Sequence, residues 1–506
     1  MSQDPDLIRV AGDRWTNLHG TVQTRLRERL TIFNRVRGRS TMAGMKDTAG
    51  RIQAILADAA ARQIRLRPVG SRWSFSNLAA IEDGWALEIE NLDMSFAVTH
   101  GNLDPAYRGT AEELYLAQCG QTVSRINIAL ETPQRARALR TSGASNGQTV
   151  AGMIGTGTHG SALQTGAFES QVAGIQLLTA TQNLWLERPG DPVMNAAFAA
   201  KLGATLRRDD ALFRAALVNL GALGIVHAVL LRTTGRYKLL SSLKKMKMAE
   251  VGRALNTLDF TGVPLPEPTL QPYFFLAVVE PSTPDDVYVT VRYKINCEPG
   301  YAPVYAQGSG YEAANDLPGL VGKLLDVAPA LRPVIAPLLI KVELGEFSNR
   351  RKTPGETYNF TTARSGVAGS AMAIPLSFTL RALEIAREVF LANPGAPVAF
   401  ACRYAQKSPA LLGFTRFDPT CILDVDGVDT AATRAVMEGL RARFDAEGVP
   451  YAQHWGKLLG LTRARLRASY GSAIDDWNRV RRALLPTQAE RDSLSTPLFD
   501  SVGLNA

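Results

Sequence analysis

Between Thr141 and Ser161 the chain reads TSGASNGQTVAGMIGTGTHGS, with six glycines and nine Ser, Thr, Asn or Gln residues around few large side chains. Glycine lets backbone N–H groups approach a ligand closely, and the hydroxyls and amides add donors. That composition suits a polyanion or a flat cofactor; the other reading is a flexible surface loop. Val150, Met153 and Ile154, interleaved with the small residues, favour a loop anchored in a core. Inside the stretch, Gly155-x-Gly157-x-x-Gly160 matches the G-x-G-x-x-G of dinucleotide-binding βαβ units. That motif needs a buried strand before it and an amphipathic helix after it, because the helix N-terminus binds the pyrophosphate. Here Gly160 leads into SALQTGAFESQVAG, which has no 3.6-residue apolar period, and no acidic residue follows at ribose distance. A nicotinamide-dependent Rossmann dehydrogenase is therefore not expected.

The elements that must hold such a loop are legible in outline. DTAGRIQAILADAAARQ (47–63) has helical apolar spacing, with Asp47 or Thr48 as cap. IRLRPVG, WALEIENLD and LYLAQCG read as strands, QTVSRINIALE (121–131) as a helix, and 172–188 as two strands around a turn. Residues 209–233 read as helix, glycine turn and buried strand. Near 238–270 the texture becomes Lys-rich and then Pro-rich. Strands alternate with helices at 318–342 and 379–392 beyond it, which predicts a second α+β domain. At 506 residues, two or three domains are expected.

Composition narrows the class. A net charge of +9 is modest and spread out, with no basic block, which argues against nucleic acid and suits an anionic ligand. Cys119, Cys297, Cys402 and Cys421 form no C-x-x-C pair and read as thiols in a reducing compartment. The histidines at 19, 100, 159, 227 and 454 lack ligand spacing, so no metal site is expected. Neither a signal peptide nor a membrane span is recognisable, and a cytoplasmic location is the expectation.

Five segments in order resemble one family, the FAD-dependent oxidoreductases with a PCMH-type (vanillyl-alcohol oxidase-like) flavin domain, and within it the aldonolactone and alditol oxidases. They are WTNLHGTV (15–22), LRPVGSRWSFSNLA (66–79), QTVAGMIGTGTHGS (148–161), GALGIV (221–226) and HWGK (454–457). The middle, about 240–395, matches poorly. The resemblance implies an α+β fold, a two-lobed flavin domain plus an α+β cap domain with an antiparallel sheet. It implies an N-terminal segment 1–30, a flavin domain 31–237, a cap 238–430, and a C-terminal segment 431–506 that returns to the flavin. It also implies FAD as cofactor. The turn Gly70, Ser71, Arg72, Trp73, Ser74 would offer consecutive N–H groups to the pyrophosphate. The second loop would contribute Ser142, Gly143, Ser145, Thr149, Gly152, Thr156, Gly157, Thr158 and His159, and Ile225 would meet the adenine.

Departures from the family pattern carry expectations of their own. Trp73 stands where many relatives carry a flavin-bonding histidine; indole has no free nitrogen lone pair, so non-covalent FAD is expected. The family's E-x-R is Ala401-Cys402-Arg403 here, which keeps the cation and lacks the carboxylate; Glu343 or Glu346 could substitute. The strand TCILDVD (420–426), with Cys421, Ile422 and Leu423 at its centre, suggests a bulkier, less polar alcohol than a small polyol. The implied reaction is oxidation of a CH–OH carbon (sugar, lactone or bulkier alcohol) by hydride transfer to flavin. Lys457 would steady the negative charge, His454 would accept a proton or hydrogen-bond, and Arg403 would sit near the substrate oxygen. Gly143 favours oxygen access, hence an oxidase using O2. A dehydrogenase with another acceptor and a flavin-binding protein without turnover are the alternatives.

Overall fold

The computed structural model describes residues 6–34, 41–79, 81–305 and 317–505. Three sheets organise the chain. A four-stranded sheet has the order Leu7–Ala11, Glu28–Ile32, Trp85–Glu88, Leu66–Val69, parallel except at its first strand. A six-stranded sheet has the order Thr205–Arg208, Asn183–Glu187, Val172–Leu178, Ile225–Arg232, Leu114–Gln118, Ser95–Phe96. Helix Thr41–Ala61 buries Ala49, Ile52, Ile55, Leu56 and Ala59 in one cluster that includes residues of both sheets. Each large apolar side chain buried there stabilises by roughly 1.5–3 kcal/mol relative to exposure. Thr48, expected as a cap, lies inside this helix and donates to the Gly44 carbonyl. The helix instead begins six or seven residues earlier than the apolar period suggested.

Between Arg232 and Tyr237 the chain passes to an eight-stranded, wholly antiparallel sheet. Its order is Phe347–Lys352, Tyr237–Lys247, Asp286–Asn296, Phe274–Val279, Val398–Ala405, Thr420–Val428, Val367–Pro375, Ala452–Gln453. Successive residues of a strand face opposite ways. Phe400, Cys402, Tyr404, Cys421, Leu423 and Val425 share a core with helices Met248–Thr257, Thr379–Leu391 and Ala431–Ala446. Ala401, Arg403, Ile422, Asp424 and Asp426 alternate with them and face away from those helices.

Two boundaries differ from expectation. The helix predicted over 318–342 is broken into Leu317–Gly322 and Arg332–Glu343, with short 3-10 turns between. Pro329 lacks the N–H a continuous helix would need and disfavours helix at the residue before it. Helix Ala431–Ala446 packs on the eight-stranded sheet through Val436, Met437, Leu440 and Phe444, so the returning segment starts after it, not at 431. From there helices Arg463–Tyr470 and Ala473–Leu484 bury Leu466, Tyr470, Trp477 and Leu484 in the core of the first two sheets. Among the described residues no helix is long and apolar enough to cross a membrane.

Candidate functional site

A large cleft runs between the two smaller sheets and the open face of the eight-stranded one, with about 1590 Å³ of empty space including its solvent-open mouth. Its walls include the Gly70–Ser74 turn, the loop from Ala144 to His159, the Leu220–Val226 turn, and Arg403, Asp424, His454 and Lys457.

The first turn leaves strand Leu66–Val69 with Arg72 at φ 57°, the left-handed region. None of the five N–H groups from Gly70 to Ser74 has an acceptor among the described residues. A run of free donors bordering a cleft is a nest for an anion. Gly70 is required by the second loop, since a Cβ there would overlap Thr149 Oγ1. Thr149 in turn donates its N–H to Ser71 Oγ at 3.1 Å and caps helix Val150–Thr156 by accepting from Gly152 N–H. That helix ends at Gly157, φ 70°, its C-cap. The glycines of the G-x-G-x-x-G match therefore close a helix, where a Rossmann unit has them open one. Trp73 lies against Gly147, where a Cβ would meet its ring, and edge-on to Phe360 at 6.0 Å. The turn is also docked on the returning segment: Phe75 N–H and Ser74 Oγ donate to the Gly456 carbonyl, and Ser76 Oγ to that of Trp455.

The far end of the cleft is a buried charge cluster. Arg403 Nε stands 3.2 Å from Asp424 Oδ2, and Lys457 Nζ donates to Asp426 Oδ1 at 2.8 Å. Burial pushes Asp426 up to about 6 against the pull of Lys457. Burial draws Lys457 down, but Asp426 and Asp424 outweigh it, so the ammonium titrates above its ordinary value. Two imidazoles complete the end, with ring centres 5.3 Å apart. Burial, and then Arg403, lowers His159 to about 3; burial, and then His159, holds His454 well below its usual value. His454 Nδ1 accepts from Gly456 N–H at 2.9 Å, and His159 Nδ1 donates to the Gly160 carbonyl. Both rings are neutral at pH 7.

Of the residues expected from sequence, Gly70, Ser71, Arg72, Trp73, Ser74, Ser145, Thr149, Gly152, Thr156, Thr158, His159, Ile225, Arg403, His454 and Lys457 border the cleft. Ser142, Gly143 and Gly157 do not. A Cβ on Gly143 would meet Thr158 Cγ2 at 3.1 Å and Met153 Cε at 3.4 Å, so this glycine serves loop packing and leaves the oxygen-access argument without support. Glu343 pairs with Lys323 and Glu346 accepts from Lys245 N–H, so neither supplies the missing carboxylate. The apolar reading of TCILDVD is also corrected. Cys421 and Leu423 point into the helix-covered core, while Asp424 lines the cleft and Asp426 reaches Lys457 beside it. Strand alternation over 422, 424 and 426 was the signal that could have found them. Sequence reasoning also missed His19, Arg67, Gln148, Asn219 and Phe360, all in the wall.

The donor run and the close glycine approach fit FAD, and comparison with known proteins agrees. The model of an FAD binding domain matches residues 46–185. The chain is 27% identical over 191 residues to D-arabinono-1,4-lactone oxidase of Yarrowia lipolytica, covering 38% of this chain and 31% of that protein. It is 25% identical over 193 residues to a putative D-arabinono-1,4-lactone oxidase of Neurospora crassa, covering 38% and 29%. The match thus spans less than a third of these relatives' length. The structure of cholesterol oxidase from Brevibacterium sterolicum superposes with a TM-score of 0.67 at 14% identity, over 99% of this chain and 98% of that one. Residues 46–185 therefore match an FAD binding domain, the chain shares its fold with cholesterol oxidase, and the sequence relatives it matches are D-arabinono-1,4-lactone oxidases.

Proposed function

We propose that the protein oxidises a CH–OH group, with FAD held non-covalently and O2 as terminal acceptor. One observation carries this reading: a single cleft joins five free N–H groups at Gly70–Ser74 to the buried Arg403–Asp424 and Lys457–Asp426 pairs. The free donors and the Thr149–Ser71 contact would hold the pyrophosphate, Ile225 and its turn the adenine end, and Trp73 the ring or ribityl chain. With the pyrophosphate at the free donors, the ring and the substrate would take the end where Arg403, Asp424 and Lys457 border the cleft. Bound FAD would supply the two-electron acceptor for a hydride from the carbinol carbon. Arg403 would orient the substrate oxygen and Lys457 place fixed positive charge beside the reacting end. His454, neutral and with Nδ1 occupied, serves better as a hydrogen-bonding partner than as a proton acceptor. A polar substrate such as a sugar or lactone suits the charged end better than a sterol-like one. The oxidase names of the relatives support O2, and the unpaired cysteines support a cytoplasmic location.

The test is to purify the protein, record its visible spectrum and precipitate it with acid. A yellow supernatant is expected; a yellow pellet refutes non-covalent binding, and colourless protein that takes up no FAD refutes the reading. Peroxide release with D-arabinono-1,4-lactone, other sugar lactones and cholesterol then tests substrate class.

A further inference from the structure

We propose that Asp424 is the catalytic carboxylate that takes the hydroxyl proton of the substrate; this rests on the alcohol-oxidising reading of the same cleft. In the step, the C–H bond breaks with its electron pair leaving as hydride to the flavin. The O–H bond breaks with its proton passing to Asp424, and the C=O bond forms. The alcohol loses two electrons and the flavin gains them.

The assignment follows from the groups that face this end of the cleft. Arg403 and Lys457 are cations with no lone pair to offer at neutral pH. Asp426 also has one oxygen, Oδ2, without a hydrogen bond, but it is held by Lys457 through Oδ1 and does not border the cleft. His454 has Nδ1 occupied by Gly456 N–H, and His159 spends its Nδ1 proton on the Gly160 carbonyl while its other nitrogen is a very weak base. Thr158 carries only a neutral hydroxyl. Asp424 is 1% exposed, borders the cleft, and its Oδ2 makes no hydrogen bond. The Arg403 guanidinium stands 3.2 Å away without the geometry of a hydrogen bond to it. A buried acceptor oxygen with an ion pair but no hydrogen bond has capacity left for a donor, and a substrate hydroxyl would supply one.

The register supplies a test of position. Ala401 is the direct antiparallel partner of Asp424 and shares its face. Their Cβ atoms are within about 5.5 Å, so a carboxylate moved across the pair stays at the same end of the cleft.

The probe is sulfite, titrated into the flavin-loaded protein and followed by loss of flavin absorbance, since it adds to the flavin atom that accepts hydride. With its negative charge removed nearby, Asp424→Asn is expected to bind sulfite roughly tenfold more tightly. Asp424→Ala combined with Ala401→Asp should return affinity toward the starting value. For any alcohol found in the peroxide screen, Asp424→Asn should slow flavin bleaching by about 10²–10⁴-fold, with KM little changed. Sulfite affinity within twofold of the parent in a normally melting Asp424→Asn protein, or an unchanged bleaching rate, overturns the proposal. Either result leaves flavin binding standing, whereas protein that never holds flavin sinks the underlying reading instead.

Discussion

Lys457→Met isolates the buried Lys457–Asp426 pair, because methionine keeps most of the side-chain volume and removes the charge. Asp426 is 0% exposed and titrates near 6 while Lys457 is present, against an ordinary carboxylate value of about 3.9. Its folded value is raised, so between about pH 4 and 6 the folded protein holds the proton more tightly and stability falls as pH rises. Above 6 the parent is flat with respect to this group. Without the ammonium the folded value moves higher still. Over the interval from about 6 to that new value the variant alone keeps the proton, and loses about 1.4 kcal/mol of stability per pH unit. The gap between parent and variant is therefore smallest near pH 5 and widens by about 3 kcal/mol from pH 6 to 8 if the new value reaches that far. At the top of the range it approaches the roughly 3–5 kcal/mol of a broken buried pair. Urea titrations followed by tryptophan fluorescence at pH 5, 6, 7 and 8 measure it. A gap that stays constant across the range would refute proton linkage between the two residues.

Three further perturbations probe the surroundings. Gly70→Ala drives a Cβ into Thr149 Oγ1, and is expected to cost about 1 kcal/mol through the lost cap and to lower flavin retention at least about tenfold, read by flavin fluorescence after gel filtration. Gly369, paired with Asp426 across strands, has no room for a Cβ: one would overlap Asp426 Oδ1 and lie 2.9 Å from Lys457 Nζ. Gly369→Ala should cost about 1–3 kcal/mol by overpacking, and an unchanged melting temperature would contradict the geometry. Glu131 is buried and pushed up to about 7 by that burial, although Thr353, Gly355 N–H and Tyr305 donate to it. Its raised value predicts stability falling from about pH 4 through 7, by about 3 kcal/mol, and Glu131→Gln should flatten that slope in melts across the range.

What the sequence disclosed and what it hid divide along a physical line. Local rules were enough for several elements: the helical spacing of 121–131 is helix Val123–Leu130, and the helix, glycine turn and buried strand read over 209–233 are Asp210–Leu217 and Ile225–Arg232. The two glycine-rich stretches were legible as a pair only through their resemblance to a family, because nothing local says that Gly70 must be bare to admit Thr149, 79 positions on. The 318–342 helix failed where apolar period was weighed above Pro329. The largest miss, the carboxylate pair, came from reading TCILDVD as a composition. Taken as a strand, it alternates, and its charged face is separated from its apolar face by one residue. Which face meets the cleft depends on where the helices Thr379–Leu391 and Ala431–Ala446 pack, and that is tertiary information. Ala401 shows the consequence. Alone it reads as a lost acid and argues for a protein without turnover; opposite Asp424 in the sheet register it reads as space cleared beside a carboxylate on the next strand. Linear spacing cannot record that pairing, because Ala401 and Asp424 meet only through the sheet register.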